Sequence, residues 1–139
     1  MRLALLLSVI GLGFFWVPGT RSEAATSQPS YALATVRMIN TAESLAHRSG
    51  GKFLPLDQLI SSGPLKQAAE MNPDFSSAYS QMKPVKGPEM LDGFDLGMLV
   101  SSDGSAYKLS LDNKEKCGTT YFSDERGLIY AGKPLGCSP

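Results

Sequence analysis

Few residues in this sequence are of the types that carry out covalent chemistry. The chain has a single histidine, His47, and two cysteines, Cys117 and Cys137. Nucleophilic catalysis needs a serine or cysteine beside a base that a third group holds in place. His47 falls near the end of a predicted helix, where a solvent-facing residue close to the negative end of the helix dipole is expected. We therefore predict no catalytic triad.

Three carboxylates, Glu89, Asp92 and Asp95, cluster just before a predicted strand. Paired carboxylates can act as acid and base in glycoside hydrolysis. We interpret these three instead as a solvated loop whose charges discourage edge pairing of strands. The sequence also has no Walker loop, no G-x-G-x-x-G and no H-E-x-x-H motif. We expect no enzyme activity, no cofactor and no metal.

The N-terminus has the three-part pattern of a secretory signal, with Arg2, an apolar run over residues 3–17 and a polar stretch after Pro18-Gly19. The alternative is a retained membrane anchor. The apolar run has 15 residues, however, whereas a spanning helix needs roughly 20. We predict a periplasmic or secreted protein with no stable membrane span after the signal is removed.

Small residues mark the cleavage site, which we place after Ala24, with Ala25 as the second choice. Of the 13 basic and 13 acidic residues, Arg2, Arg21 and Glu23 lie in residues 1–24, so 11 basic and 12 acidic residues remain and the net charge is −1. This balance excludes a strongly basic surface of the kind that binds nucleic acid.

Export lets thiols oxidise, and Cys117 and Cys137 are the only pair available. We predict a disulfide between them that fastens the C-terminus. Their spacing is not the C-x-x-C of a redox-active pair, and two thiols with one distant histidine are too few ligands for zinc.

The first half of the exported chain has a helical period. Apolar residues recur at intervals of three and four, and polar residues share another face: Tyr31, Ala34, Met38, Ala42 and Leu45 against Arg37, Asn40, Thr41, Ser44 and Arg48. This pattern predicts one amphipathic helix that follows a polar lead over residues 25–30, is capped by Ser30, begins at Tyr31 and ends at Ser49-Gly50-Gly51.

The middle of the chain predicts two short helices, within residues 53–60 and 65–71, separated by Gly63-Pro64. Residues 75–89 are rich in Ser, Met, Lys, Pro and Gly and predict a surface loop. Three larger side chains in and beside this loop either form a contact surface or pack onto the domain, and we expect packing: Tyr79, Met82 and Met90.

Near residue 90 the apolar period changes from three or four to two, which indicates strands. The alternating apolar positions are Phe94, Leu96, Met98 and Val100, then Tyr107, Leu109 and Leu111. Asp103-Gly104 predicts a tight hairpin between these strands, and residues 119–123 and 128–131 predict a second hairpin with positive φ at Gly127. The predicted fold is a single α+β domain over residues 31–139, with one N-terminal amphipathic helix packed on a three- to four-stranded antiparallel sheet and one disulfide.

The order of these elements resembles the globular part of type IV pilins and type II secretion pseudopilins. The segments that carry the resemblance are ATVRMINTAESLAHRSGG, KFLPLDQLI and YFSDERGLIYAG. The resemblance covers residues 31–132 and implies a helix, a proline-containing connection and a sheet that ends in an aromatic-Asp-Gly-aliphatic hairpin.

The chain departs from the pilin pattern at its N-terminus. Pilin precursors are cut after a glycine before a hydrophobic residue, usually with Glu at the fifth mature position. Here Phe14 follows Gly13 but Pro18 takes the fifth position, and Pro29 is expected to prevent one continuous helix into Tyr31. We therefore predict a pilin-type head without the filament-forming helix, carried on an ordinary secretion signal.

The resemblance also suggests calcium, which major pseudopilins hold in a loop of the sheet region. The nearby oxygen donors that we nominate are Asp112, Asn113 and Asp124. Calcium takes six to eight oxygens, which this stretch does not gather, so we expect solvated turn carboxylates.

Two functions follow from this sequence. The first is an exported, non-catalytic pilin-like domain that acts by protein contact, possible partners being envelope or secretion-system components. The alternative is a free secreted binding or inhibitor-like module unrelated to filaments.

The export prediction is tested by the intact mass of the exported protein. We expect the loss of residues 1–24 and of two hydrogens at the cysteines. A full-length, reduced species would contradict both the cleavage and the disulfide.

Overall fold

The computed structural model describes residues 28–83 and 88–137. The predicted signal peptide lies outside these residues. The described chain forms four helices and then four strands: α1 (Gln28–Gly50), α2 (Leu56–Ser61), α3 (Pro64–Glu70), α4 (Pro73–Gln81), β1 (Phe94–Val100), β2 (Tyr107–Asn113), β3 (Thr120–Asp124) and β4 (Ile129–Gly132). None of these helices is both long and apolar enough to cross a bilayer.

The strands form an antiparallel sheet in the order β1-β2-β3-β4. Leu96 pairs with Leu111, which pairs with Tyr121 on the next strand. Directly paired residues on neighbouring strands point to the same side of the sheet, and here all three side chains are buried on the inner face. The predicted α+β class is confirmed, with a helix before an antiparallel sheet. The sheet has four strands, the larger of the two predicted numbers.

Both predicted hairpins form. Gly127 has φ +70°, as predicted for the second hairpin. The first connection is longer than a two-residue turn, since β1 ends at Val100 and β2 begins at Tyr107. Within it, Asp103 accepts hydrogen bonds from the hydroxyls of Ser101 and Ser105 at 2.6 and 2.8 Å and from the Ser105 amide at 3.0 Å. These bonds, led by that from Ser101, lower the pKa of Asp103.

Helix α1 begins at Gln28, three residues before the predicted start at Tyr31. Pro29 therefore lies inside the helix, and the prediction that Ser30 precedes it as a cap is wrong. The first-turn amides of a helix have no intrahelical partner, so a proline there removes no hydrogen bond.

Helix α1 is buried on two flanks instead of one. One flank packs on α3 and α4, and another packs on β2 and β3. Its buried apolar residues consequently extend beyond the single predicted stripe: Ala32, Ala34, Val36, Met38, Ile39, Ala42 and Ala46. The core lies between this helix and the inner face of the sheet.

Helix α4 corrects the prediction of a surface loop over residues 75–89. Asn72 precedes it in an extended conformation, and its side chain accepts a hydrogen bond from the Asp74 amide at 2.8 Å. Pro73 takes the first helical position, where its fixed φ suits the helix. Ala78 is fully buried and anchors this otherwise polar helix to the domain.

The disulfide between Cys117 and Cys137 is present, with a sequence separation of 20 residues. It ties the end of the described chain to the connection between β2 and β3. The C-terminal segment after β4 is exposed except at Cys137 itself, so the bridge ties an exposed segment to the domain.

We expect Cys117→Ser to lower the free energy of unfolding by about 3 kcal/mol, because the open chain regains the entropy of a 20-residue loop. Thermal unfolding followed by circular dichroism should show a midpoint lower by roughly 10 °C or more. The double variant Cys117→Ser/Cys137→Ser should match the single one. An unchanged midpoint would show that the bridge does not stabilise the fold.

Candidate contact surface

A buried polar bridge joins α1 to the sheet. Asn40 is 8% exposed, and its Nδ2 donates to the Ser123 hydroxyl at 2.7 Å. The Tyr107 hydroxyl donates to Asn40 Oδ1 at 2.9 Å, and Ser123 in turn donates to the carbonyl of Leu128 at 2.9 Å. We call Asn40, Tyr107 and Ser123 the Asn40 bridge. Asn40 was predicted to share the polar face of the amphipathic helix, but the sheet covers its flank of the helix and buries it.

Glu43 is a further buried polar group of α1, and its burial was not predicted from the sequence. It is fully buried, and its Oε2 accepts a hydrogen bond from the Leu54 amide at 3.0 Å. Its Oε1 receives no hydrogen bond from the described residues. Its spacing from Val36 and Ile39 is that of a core-facing position, so the helical period contained the signal.

Burial raises the pKa of Glu43 to about 7, and the Leu54 amide only partly opposes this effect by stabilising the charged carboxylate. The pKa of Tyr107 is also raised, first by its own burial and then by the negative charge of Glu43. Both groups therefore favour their neutral forms. They support the core and are not open to a substrate, since each is nearly or fully excluded from solvent.

His47 is exposed at the end of α1, as expected from the sequence. Its ring stacks on Phe53 with the ring centroids 4.5 Å apart, and Phe53 meets Tyr107 edge to face at 4.9 Å. The Phe53 amide donates to the carbonyl of Gly104 at 2.9 Å. His47 thus packs on the segment between α1 and α2, which is hydrogen-bonded to the hairpin loop at Gly104.

The three clustered carboxylates form ion pairs at the surface. Asp92 pairs with Lys83, whereas Lys114 pairs with Glu89 at 2.7 Å and with Asp95 at 3.2 Å. The hydrogen bonds from Lys114 to Glu89 and Asp95 raise the pKa of this lysine. Such exposed pairs contribute little to stability.

The three oxygen donors considered for calcium have other partners. Asp112 accepts from Ser110 at 3.2 Å, Asn113 accepts from the Glu115 amide at 2.9 Å, and Asp124 is bound to Arg126. In the described ranges, no group of three or more His, Cys, Asp or Glu residues is arranged to hold a metal ion.

The residues considered as a contact loop lie in different environments. Tyr79 is 37% exposed on α4, Met82 is half-buried and packs against the core, and Met90 is buried. They do not form one continuous surface. The predicted packing onto the domain is confirmed for both methionines.

The outer face of the sheet carries three exposed large apolar side chains. Leu99, Phe122 and Tyr130 are 74%, 48% and 50% exposed. Phe122 pairs with Tyr130 across β3 and β4, and Leu99 lies on β1 opposite Lys108 of β2. We call Leu99, Phe122 and Tyr130 the outer-face patch.

An open depression of about 680 Å³ lies within this patch. Gly97 and Ser110 form part of its lining, and they continue the row of paired positions that contains Phe122 and Tyr130. The absence of a side chain at Gly97 leaves space for the depression beside Leu99. A Cβ atom at Gly97 would approach the Ser110 hydroxyl to 2.8 Å.

The edge of the patch is polar. Arg126 donates from Nε to Asp124 Oδ2 at 3.0 Å and from a terminal nitrogen to the Tyr130 hydroxyl at 3.3 Å. The hydrogen bonds from the Arg126 side chain lower the pKa of Asp124. Lys108 adds a positive charge between Leu99 and Asp124. Because Lys108 on β2 lies between Leu99 and the strands that carry Phe122 and Tyr130, the patch mixes apolar and charged side chains, as non-obligate protein interfaces do when taken as a whole.

No protein-family model, curated protein or solved structure matches this chain. The likeness to pilins and pseudopilins therefore rests on the sequence segments alone.

The burial of Glu43 predicts a pH dependence of stability. The pKa is raised from its ordinary 4.5 to about 7, so the folded protein binds more protons than the unfolded chain between these values. The free energy of unfolding should therefore fall as pH rises through this window, by up to about 3 kcal/mol.

Glu43→Gln removes this titration, so its urea-unfolding free energy should depend less on pH than that of the wild type. The matched control is Glu125→Gln, which changes an exposed carboxylate and should keep the wild-type profile. If Glu43→Gln and the wild type lose stability in parallel, Glu43 does not titrate in this window.

Proposed function

We propose that this protein is an exported, non-catalytic domain of the pilin or pseudopilin type that acts by protein contact through the outer-face patch. The observation that carries the proposal is the exposure of Leu99, Phe122 and Tyr130 on one face of a sheet whose other face is packed on α1. Large apolar groups gathered on one face mark interaction sites.

The sheet makes the patch a rigid surface for contact. Phe122 and Tyr130 are held by strand pairing on β3 and β4, and the Asn40 bridge ties β3 to α1 through Ser123. A partner would therefore meet side chains whose backbone is already ordered, which lowers the entropic cost of binding. Aromatic residues at the centre of a contact can each contribute about 2 kcal/mol or more.

Two observations support export and the lack of catalysis. The disulfide is consistent with an oxidising compartment outside the cytoplasm. The potential acid–base groups lie apart: His47 stacks on Phe53 at one end of α1, whereas the acidic cluster is held by Lys83 and Lys114. The partner in this proposal is a component of a secretion or pilus apparatus.

Site-specific photo-crosslinking tests the proposal. A photoreactive phenylalanine analogue in place of Phe122 should capture a secretion or pilus component from the envelope of the producing cell. The matched control is the same analogue in place of Tyr79, an exposed aromatic residue on α4, where no capture is expected. Phe122→Ser and Tyr130→Ser should weaken the interaction by about tenfold or more, with little change in stability because both side chains point outwards.

The outcomes separate the two functions. Capture that is equal from both positions would exclude the outer-face patch as the specific site. A freely soluble protein that captures no envelope component would contradict the proposal and favour the free secreted binding or inhibitor-like module.

A further inference from the structure

The open edge of β1 is unlike the other edge of the sheet. Strand β4 is four residues long and is followed by Lys133 and Pro134, residue types that oppose strand pairing at an edge. Strand β1 is seven residues long, and from Leu96 to Val100 its sequence is LGMLV, with no charged residue. An uncharged, apolar edge of this kind favours pairing with another strand.

The register shows which backbone groups of β1 are open. The Ser101 amide donates to the carbonyl of Ala106, so in an antiparallel ladder the odd-numbered residues of β1 bond to β2. The amides and carbonyls of Leu96, Met98 and Val100 therefore point away from β2. Of these, the Leu96 amide already donates to the carbonyl of Pro88 at 2.8 Å.

The free part of the edge is therefore short and lies at Met98 and Val100. No described residue hydrogen-bonds to the outward backbone groups of these two positions. Their side chains are half-buried on the inner face, and Leu99 between them is 74% exposed on the outer face. Both faces of this free segment are apolar.

We propose that two copies of this chain pair through this segment in antiparallel fashion about a two-fold axis at Leu99. This inference goes beyond the proposed function, because it assigns a second copy of the chain to the backbone edge of β1. The two surfaces share Leu99, whereas Phe122 and Tyr130 take no part in the pairing.

A second copy fits this edge because the segment is complementary to itself. With the axis at Leu99, Met98 of one copy lies opposite Val100 of the other, and each such pair exchanges two backbone hydrogen bonds. The two Leu99 side chains meet on the outer face, and Gly97 lies opposite Ser101 without crowding. The pairing does not extend to Leu96, because the Leu96 amide already donates to the carbonyl of Pro88.

The small area of this interface predicts a weak dimer. Only about three residues from each copy take part, which is far below the 20 to 30 residues a side of a standard interface, about 800 Å² per partner. Association should therefore depend on concentration and be observed only at high micromolar protein. Lys108 lies on the next strand inwards, so no like charges come into direct contact across the axis.

Oxidative crosslinking of the full exported protein tests the register. The two Leu99 positions form a pair without backbone hydrogen bonds, with Cα atoms about 4.5 Å apart, so Leu99→Cys should give a disulfide-linked dimer. Lys108→Cys is the matched control on the same face. Its two copies would be three strand spacings apart, about 14 Å, too far for a disulfide. Equal crosslinking of both variants, or none of Leu99→Cys, would overturn the proposal.

Sedimentation equilibrium of the exported protein tests the association without crosslinking. The wild type should shift from monomer to dimer as its concentration rises, and Leu99→Lys should weaken dimerisation by about tenfold or more, because two charges would then face each other. Tyr130→Ser should dimerise like the wild type. A wild type that stays monomeric, or a Leu99→Lys variant that dimerises normally, would overturn the pairing. A monomer that still captures a partner through Phe122 would leave the proposed function intact.

Discussion

The burial of α1 on two flanks is the constraint on which the rest of this structure depends. The helix fills the space between the sheet and the pair α3 and α4, so polar side chains on its inner flanks are cut off from water. Asn40 meets this constraint through Tyr107 and Ser123, which places one hydrogen-bonded amide between α1, β2 and β3. A buried polar group satisfied on both sides specifies one position of the helix on the sheet.

Glu43 lies under the same constraint, but only one of its two carboxyl oxygens has a hydrogen-bond partner among the described residues. This oxygen accepts from the Leu54 amide, and burial keeps the pKa of the carboxyl well above that of an exposed glutamate. The bond to Leu54 also fastens the chain that leaves α1 towards α2. Because α1 occupies the inner face of the sheet, the outer face and the edge of β1 at Met98 and Val100 are the parts of the sheet that the described residues leave uncovered. Leu99 lies where these two surfaces meet.

The parts of the fold that could be predicted are those with a strong local pattern. The strands follow from alternation of apolar and polar residues, and the disulfide follows from the presence of only two cysteines in a chain whose N-terminus predicts a secretion signal. Helix α4 was missed because Asn72-Pro73 was interpreted only as the end of α3, although the same dipeptide caps the helix that follows. With Ala78 as its one fully buried residue, α4 has too weak an apolar period to be recognised locally.

By itself, the sequence determined the order of a helix and a sheet, the faces of the strands, the turn at Gly127 and the pairing of Cys117 with Cys137. Tertiary structure alone decided that Asn40 is buried and that the apolar side chains of the outer face stay exposed. The physical reason is that a period of two or 3.6 residues specifies which side chains share a face. Whether water, a helix or another chain covers that face depends on the packing of elements distant in the sequence.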